Sequence, residues 1–406
     1  MSLRANFAAT LAGNVAFAAS QWLILSLLAK LGDSVMLGQY ALALAVVTPI
    51  AMFSHLNLRS VLVGDVERHH TFGNYFAVRV ATTLLGLGAA AAAALVFGYV
   101  RPVPAAIGLL SVALGADQFS DIYYGLMQRR ERMDQIARSM AARGLLSATA
   151  LGIALWLTHS LVAALAALAA GRLIVLFLHD YPVSQARREP PGTDFDGEYA
   201  ILRQALPLGL VLMLASLTVN LPRYAIGARF GAAQLGAFAA VASFLTVGST
   251  AANALGQSAM PRLARYYSAN ETGRFLRLTW QLMAVAGALG VSGVLVALAV
   301  GNLVLRLVYR PAYASYADLL VWMMCAGVLS YAAILLGYVI TGAHVYAAQA
   351  PLLMMVAATS AVGSWFLVPK FGLNGAALAL AGAWLVQLAG EALILRRALA
   401  RMGEAG

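Results

Sequence analysis

Cysteine is nearly absent from this chain of 406 residues: Cys325 stands alone, which excludes an intrachain disulfide and a cysteine-built metal site. Charge is scarce as well, at 11% Asp, Glu, Lys and Arg, where an ordinary soluble domain carries about 25%. Lysine is confined to Lys30 and Lys370, so the basic side of a net charge of +11 is almost entirely arginine. Long polar stretches are missing except at 181–203. These shortages exclude a soluble enzyme. They also exclude a nucleic-acid binder, because the arginines sit in short loops between apolar runs, where they set topology and meet anionic lipid headgroups. Enzyme and metal motifs are lacking too. GLGAAA at Gly86 mimics part of a dinucleotide fingerprint but lies inside an apolar run, and His69–His70 has no third ligand at a metal-binding spacing.

Apolar sequence is what the chain has, at 62% hydrophobic residues and a mean hydropathy of +0.80. Twelve runs reach the roughly 20 residues that a helix needs to cross a bilayer core. They fall near 7–29, 36–62, 76–99, 104–126, 139–158, 160–179, 204–227, 235–260, 279–303, 317–341, 348–368 and 374–395. The ten-residue alternating pattern of an outer-membrane barrel is absent. The first run is too long for a signal-peptide core and reads as a retained helix. The expected fold is an all-α integral membrane protein.

With the amino terminus inside, 17 basic residues, Arg4, Arg143 and Arg401 among them, fall on the cytoplasmic side. Only six (Lys30, Arg101, Arg229, Arg306, Arg310 and Lys370) fall opposite, so both termini are expected in the cytoplasm. The polar interruption carries prolines, a glycine and mixed charge, and reads as a linker at 182–203 between lobes at 1–181 and 204–406. The halves resemble each other. The stretch from Leu37 (LGQYALALAVV…) aligns without gaps on that from Leu235 (LGAFAAVASFL…), and six spans per half give parallel repeats with a site between them.

Several segments then point to a family. GN at 13–14, QW at 21–22, LGQYALA and NLRSV in the second span, and QRRERMDQIARSMAARG at 128–144 resemble the Wzx-type oligosaccharide flippases of polysaccharide biosynthesis. LPLGLVLMLASLTVNLPRY from Leu206, MPRLARYY from Met260 and VPKFGLNGAALA from Val368 extend the resemblance along the chain. That family sits in the multidrug/oligosaccharidyl-lipid/polysaccharide exporter superfamily. The resemblance implies two six-helix lobes in a V around a central cavity, working by alternating access. It implies as substrate an undecaprenyl-diphosphate-linked oligosaccharide, the precursor of O-antigen lipopolysaccharide or exopolysaccharide. The implied location is the bacterial inner membrane, with membrane lipids and, as further partners, a polysaccharide polymerase and glycosyltransferases. Lipid II flippases of the superfamily carry two further helices that this chain lacks, which argues against a peptidoglycan precursor.

Arginines inside apolar spans demand a polar interior that something anionic visits. Guanidinium pairs bidentately with phosphate, so Arg59, Arg172 and Arg223 are the expected ligands of diphosphate or acidic sugars. Arg79 is expected to anchor its helix at the cytoplasmic surface. Asp117 and Asp121, at i and i+4, either couple transport to H⁺ or Na⁺ or neutralise a lumen arginine, and no other cofactor is expected. Asn14 and Gln21 share a face of the first span. With Asn220, Asn253 and Gln257 they suit sugar hydroxyls, although bonds between helices explain such groups as well. Asp318 and Glu391 are read as interfacial charges, Pro49 as interrupting the second span, and Pro261 as ending the eighth. Two other readings stay open. A multidrug antiporter needs an acidic cavity, and a polysaccharide polymerase needs a large catalytic loop, for which 304–316 is small.

Overall fold

The computed structural model describes residues 3–189, 192–345 and 348–404. The side chains of Arg4 and Arg401, and Pro190 and Pro191 of the expected linker, lie outside the described residues. All regular elements described are helical. They are α1 (Leu3–Leu31), α2 (Ser34–His55), α3 (Leu58–Gly64), α4 (Phe72–Val96), α5 (Val103–Arg129), α6 (Met133–Thr158) and α7 (Leu161–Val175). After a π turn at Leu176–Asp180 come α8 (Tyr181–Ser184) and a 3₁₀ turn at Ala186–Arg188. Then follow α9 (Phe195–Ser268), α10 (Thr272–Val308), a 3₁₀ turn at Pro311–Tyr316, α11 (Ala317–Gly342) and α12 (Gln349–Glu404).

Ten of the described helical stretches are long and apolar enough to cross a membrane, where the sequence suggests 12 spans. The difference lies in α9 and α12, of 74 and 56 residues, each of which takes in two expected spans without a polar loop between them. Each bends at one glycine: Gly231 (φ 77°, ψ −177°) and Gly372 (φ 59°, ψ −137°). That backbone shape is open to glycine almost alone, so one residue replaces a loop. In α12 the chain turns back on itself, bringing Gly363 against Ala379 and Leu352 against Gly390.

Proline does less than the sequence suggests. Pro49 is buried inside an unbroken α2, and Pro261 lies within α9, which runs on to Ser268. Membrane helices accept such prolines because neighbours re-satisfy the freed carbonyls. The real break in the second span comes at Leu56 and Asn57, both left-handed (φ 51° and 49°), and it separates α2 from α3.

Two compact units cover 1–216 and 217–406. In the first, α5 is the hub: it packs against α2, α3, α4, α6 and α7, while α1 lies along α6. Small residues set the spacing. A Cβ at Gly144 of α6 would strike Ser20 of α1, and one at Gly171 of α7 would crowd Ser147 of α6. Most of the polar stretch belongs to this unit as ordered structure. Arg130 donates to the Ser184 carbonyl at 2.6 Å and pairs with Glu189. Thr71 donates to the Gly192 carbonyl, and Asn74 and Asp194 bond reciprocally at 2.6 and 3.0 Å. Asp194 then caps α9 by accepting from the Gly197 N–H at 2.8 Å. Burial pushes the Asp65 carboxyl up, but hydrogen bonds from the His69 and His70 amides, the His69 ring and the Tyr75 hydroxyl outweigh it and hold the group below its ordinary value.

In the second unit α10 packs on α11 and α11 on α12. Tyr331 and Tyr338 of α11 lie against Gly248 and Gly256 of α9.

If Gly372 acts as the hinge, Gly372→Ala lowers unfolding stability in detergent by about 1–3 kcal/mol. Gly88→Ala, at a helical site with nothing within 4 Å, leaves it unchanged or raises it by up to about 1 kcal/mol. Equal effects at the two sites contradict the assignment.

Candidate functional site

On α5, residues 117, 121, 124 and 128 recur at helical spacing and share one face. Arginines from α3, α6 and α7 converge on it. Arg172 of α7, 4% exposed, donates through Nη1 to Asp117 Oδ2 and through Nη2 to Gln21 Oε1 of α1 at 3.4 Å. Arg143 of α6 brings Nη1 to 3.3 Å from Asp117 Oδ1, an ion pair without hydrogen-bond alignment. Its guanidinium lies 4.7 Å from the Phe17 ring centroid and 5.6 Å from that of Tyr124. The Tyr124 hydroxyl pairs with Ser139 at 2.6 Å.

One turn along α5, Asp121 takes Arg59 Nη1 at 3.5 Å and His55 Nε2 at 3.2 Å. Arg59 Nε donates to Gln128 Oε1 at 2.9 Å, and its guanidinium also lies 5.6 Å from the Tyr124 centroid. Three guanidinium groups therefore share two carboxylates. Nearby Asp180, fully buried, is taken by His179 at 3.1 Å. Arg59 is the accessible member, with a quarter of its side chain exposed. Its position follows from the break at Leu56–Asn57, which restarts the chain as α3 just before it.

Arg79 is not a surface anchor. It is fully buried and donates to the Ser54 and His55 carbonyls at 3.3 and 3.0 Å. Gln118 of α5 donates to the Ala51 carbonyl and Ser54 Oγ, and accepts from Thr83. Ser54 and His55 end α2, where the last carbonyls lose their helical partners and carry the negative end of the helix dipole. A guanidinium satisfies both needs, which explains an arginine so deep in the bundle.

Arg143 corrects the sequence reading in another way. It is counted there among cytoplasmic loop charges, yet it is 5% exposed and on Asp117. The signal lay in Asp117, since a carboxylate amid apolar helices requires a cation, and Arg143 opens the next span. Glu391 is likewise 5% exposed rather than interfacial, whereas Asp318 is exposed.

The remaining expected residues are dispersed. Asn14 is half-buried on α1. In the second unit Arg223 donates to Asn220 Oδ1 at 3.1 Å, and Asn253 accepts from the Tyr338 hydroxyl at 3.2 Å. Gln257 is exposed. Among the described residues no group of three His, Cys, Asp or Glu side chains is placed to hold a metal ion.

The sequence matches a known family. The profile of the polysaccharide biosynthesis protein family covers residues 3–267. The chain belongs to this family. It is 25% identical over 381 residues, 92% of its own length and 94% of the relative's, to the capsular polysaccharide biosynthesis protein CapF of Staphylococcus aureus. Solved structures match the fold. The lipid II flippase MurJ in an inward closed conformation superposes at a TM-score of 0.73 with 11% identity, covering 98% of this chain and 89% of MurJ. An inward-facing multidrug resistance MATE transporter of the MOP superfamily superposes at 0.69 with 15% identity, covering 100% of this chain and 96% of the other. The family member is thus a multi-pass membrane protein with the fold of that superfamily.

Asp117→Asn strips the counter-charge from two buried guanidinium groups, and the expected loss of stability is about 3–5 kcal/mol in detergent unfolding. The double variant Asp117→Leu/Arg172→Met is expected to lose less than Asp117→Leu alone, because it buries fewer unmatched charges. Additive losses contradict the coupling.

Proposed function

We propose that this chain flips undecaprenyl-diphosphate-linked oligosaccharide repeat units, precursors of O-antigen or exopolysaccharide, across the bacterial inner membrane by alternating access. The observation that carries the reading is the guanidinium surplus around α5: Arg59, Arg79, Arg143 and Arg172 gather about Asp117, Asp121 and the nearby Asp180, four cations to three carboxylates, inside a membrane-spanning bundle. Such a surplus is costly in an apolar setting unless an anion uses it. Membership of a polysaccharide biosynthesis family supplies the context. CapF serves capsular polysaccharide biosynthesis, and MurJ flips lipid II. The chain transports and does no bond chemistry.

In this reading both termini are cytoplasmic. Arg59, the partly exposed member, takes the diphosphate first, and Arg172 draws it deeper beside Gln21. The Arg223–Asn220 pair receives it in the second unit, while Asn14, Asn253 and Gln257 meet sugar hydroxyls. Asp117 and Asp121 keep the arginines ordered while the site is empty. A polymerase and the glycosyltransferases of the same pathway act on either side of the step. A multidrug antiporter is the second reading, because the MATE neighbour of the same fold is a multidrug resistance transporter. Organic cations, however, call for a surplus of carboxylate, and the surplus here is the reverse.

The test is genetic and chemical. Deleting the gene is expected to remove a surface glycan and to accumulate its polyprenyl-diphosphate repeat unit, identified by mass spectrometry. Arg59→Ala, made at normal protein level, loses a charge-assisted contact of about 1.5–3 kcal/mol and restores transport at a tenth of the wild-type rate or less. Unchanged glycans together with new sensitivity to cationic drugs contradict the reading.

A further inference from the structure

Near the end of the expected span 374–395, Glu391 is expected to be an interfacial charge, and it is not. The residue is 5% exposed. Its Oε1 accepts from Gln387 Nε2 at 2.9 Å, while Oε2 is buried with no hydrogen-bond partner. Across from it is Gly337 of α11, where an added Cβ would stand 3.4 Å from Oε1, so the absent side chain makes the room the carboxyl occupies. Leu352, on the other arm of α12, fills the space against the preceding residue Gly390, within an apolar cluster with Val356 and Ala383. The carboxyl group thus sits at the junction of α11 and both arms of α12.

The other carboxylates inside the first unit's spans each have a basic partner. Asp117 has Arg143 and Arg172, Asp121 has Arg59 and His55, and Asp180 has His179. Glu391 has none within 4 Å among the described residues. The ionisable groups on the surrounding elements are placed elsewhere. On α12, Arg396 and Arg397 are exposed beyond it, and Lys370 is exposed at the far end of the first arm. On α11, Asp318 is exposed at the opposite end, Tyr331 donates to the Leu245 carbonyl, and Tyr338 donates to Asn253. His344, just after α11, packs edge-on to Tyr267. On α9, Arg262 and Arg265 are exposed, and Arg223 is on Asn220.

A bare carboxylate in such a wall is an unmatched buried charge, whereas the neutral acid leaves only one hydroxyl unbonded, which costs far less. We propose that Glu391 is a proton-binding site of the second unit, and that losing its proton drives the side chain out from between α11 and the two arms of α12. The proton comes from water and returns to it. Of the two readings the sequence leaves for Asp117 and Asp121, ion coupling or neutralising an arginine, the geometry at both matches the second, since arginines pair with each. This site stands whether or not the cargo is a lipid-linked glycan.

The experiment uses the full chain in lipid nanodiscs and infrared difference spectra between acidic and alkaline buffer. Wild type is expected to lose one protonated-carboxyl stretch on going alkaline, and Glu391→Gln to lack that band altogether. Glu391→Asp keeps a shifted band, which guards against a folding defect in the Gln variant, and Asp318→Asn keeps the wild-type band. Once the intrinsic pH dependence of amide exchange is divided out, protection at 337–342 is expected to fall in alkaline buffer in wild type and not in Glu391→Gln. A band that survives Glu391→Gln, or that ignores pH in wild type, overturns the proposal. So does protection in wild type that is the same at both pH values.

Discussion

Asp117 answers for two guanidinium groups at once, and the first unit is arranged around that fact. A charge inside a membrane bundle persists only where an opposite charge or a dipole meets it. Arg143 and Arg172 come from different helices, α6 and α7, so their shared carboxylate ties both to α5. Gln21 extends the same network to α1, and Asp121 extends it to α2 and α3 through His55 and Arg59. The helix with the most partners in the unit is also the helix that carries both acids of this network.

Arginine has two unrelated uses in this unit. Arg79 reaches from α4 to the last carbonyls of α2 and replaces hydrogen bonds that the helix lost when it broke at Leu56–Asn57. The same break frees Arg59 to start α3 with part of its side chain exposed. One local departure from helical geometry thus needs a buried arginine to stabilise it and presents another at the site. The gap-free match of the two halves sets Gln257 opposite Arg59, in a helix that continues unbroken to Ser268. At these positions the second half has neither the break nor the charge.

Hydrophobic length made the helical membrane fold legible, because nothing but a helix satisfies the backbone over such runs. The joints were harder to read. Gly231 and Gly372 each do the work of a loop with one residue, and Pro49 and Pro261, which look like breaks, are not. Within the site, Asp117, Arg172 and Gln21 were legible as polar groups in apolar surroundings. Arg143 was hidden because a residue at the start of a span reads as a loop charge until its partner is known. Glu391 was misread for the same reason, since position near a span end says nothing about which way a side chain packs.

The central claim is that the surplus guanidinium groups of the first unit exist to hold a lipid diphosphate. Native mass spectrometry of the protein, purified gently from its host membrane, tests it most directly. The account predicts a co-purified polyprenyl-diphosphate glycan that is retained by wild type and released by Arg59→Gln. Protein that carries only bulk phospholipid, or that retains the diphosphate lipid equally well without Arg59, would contradict it.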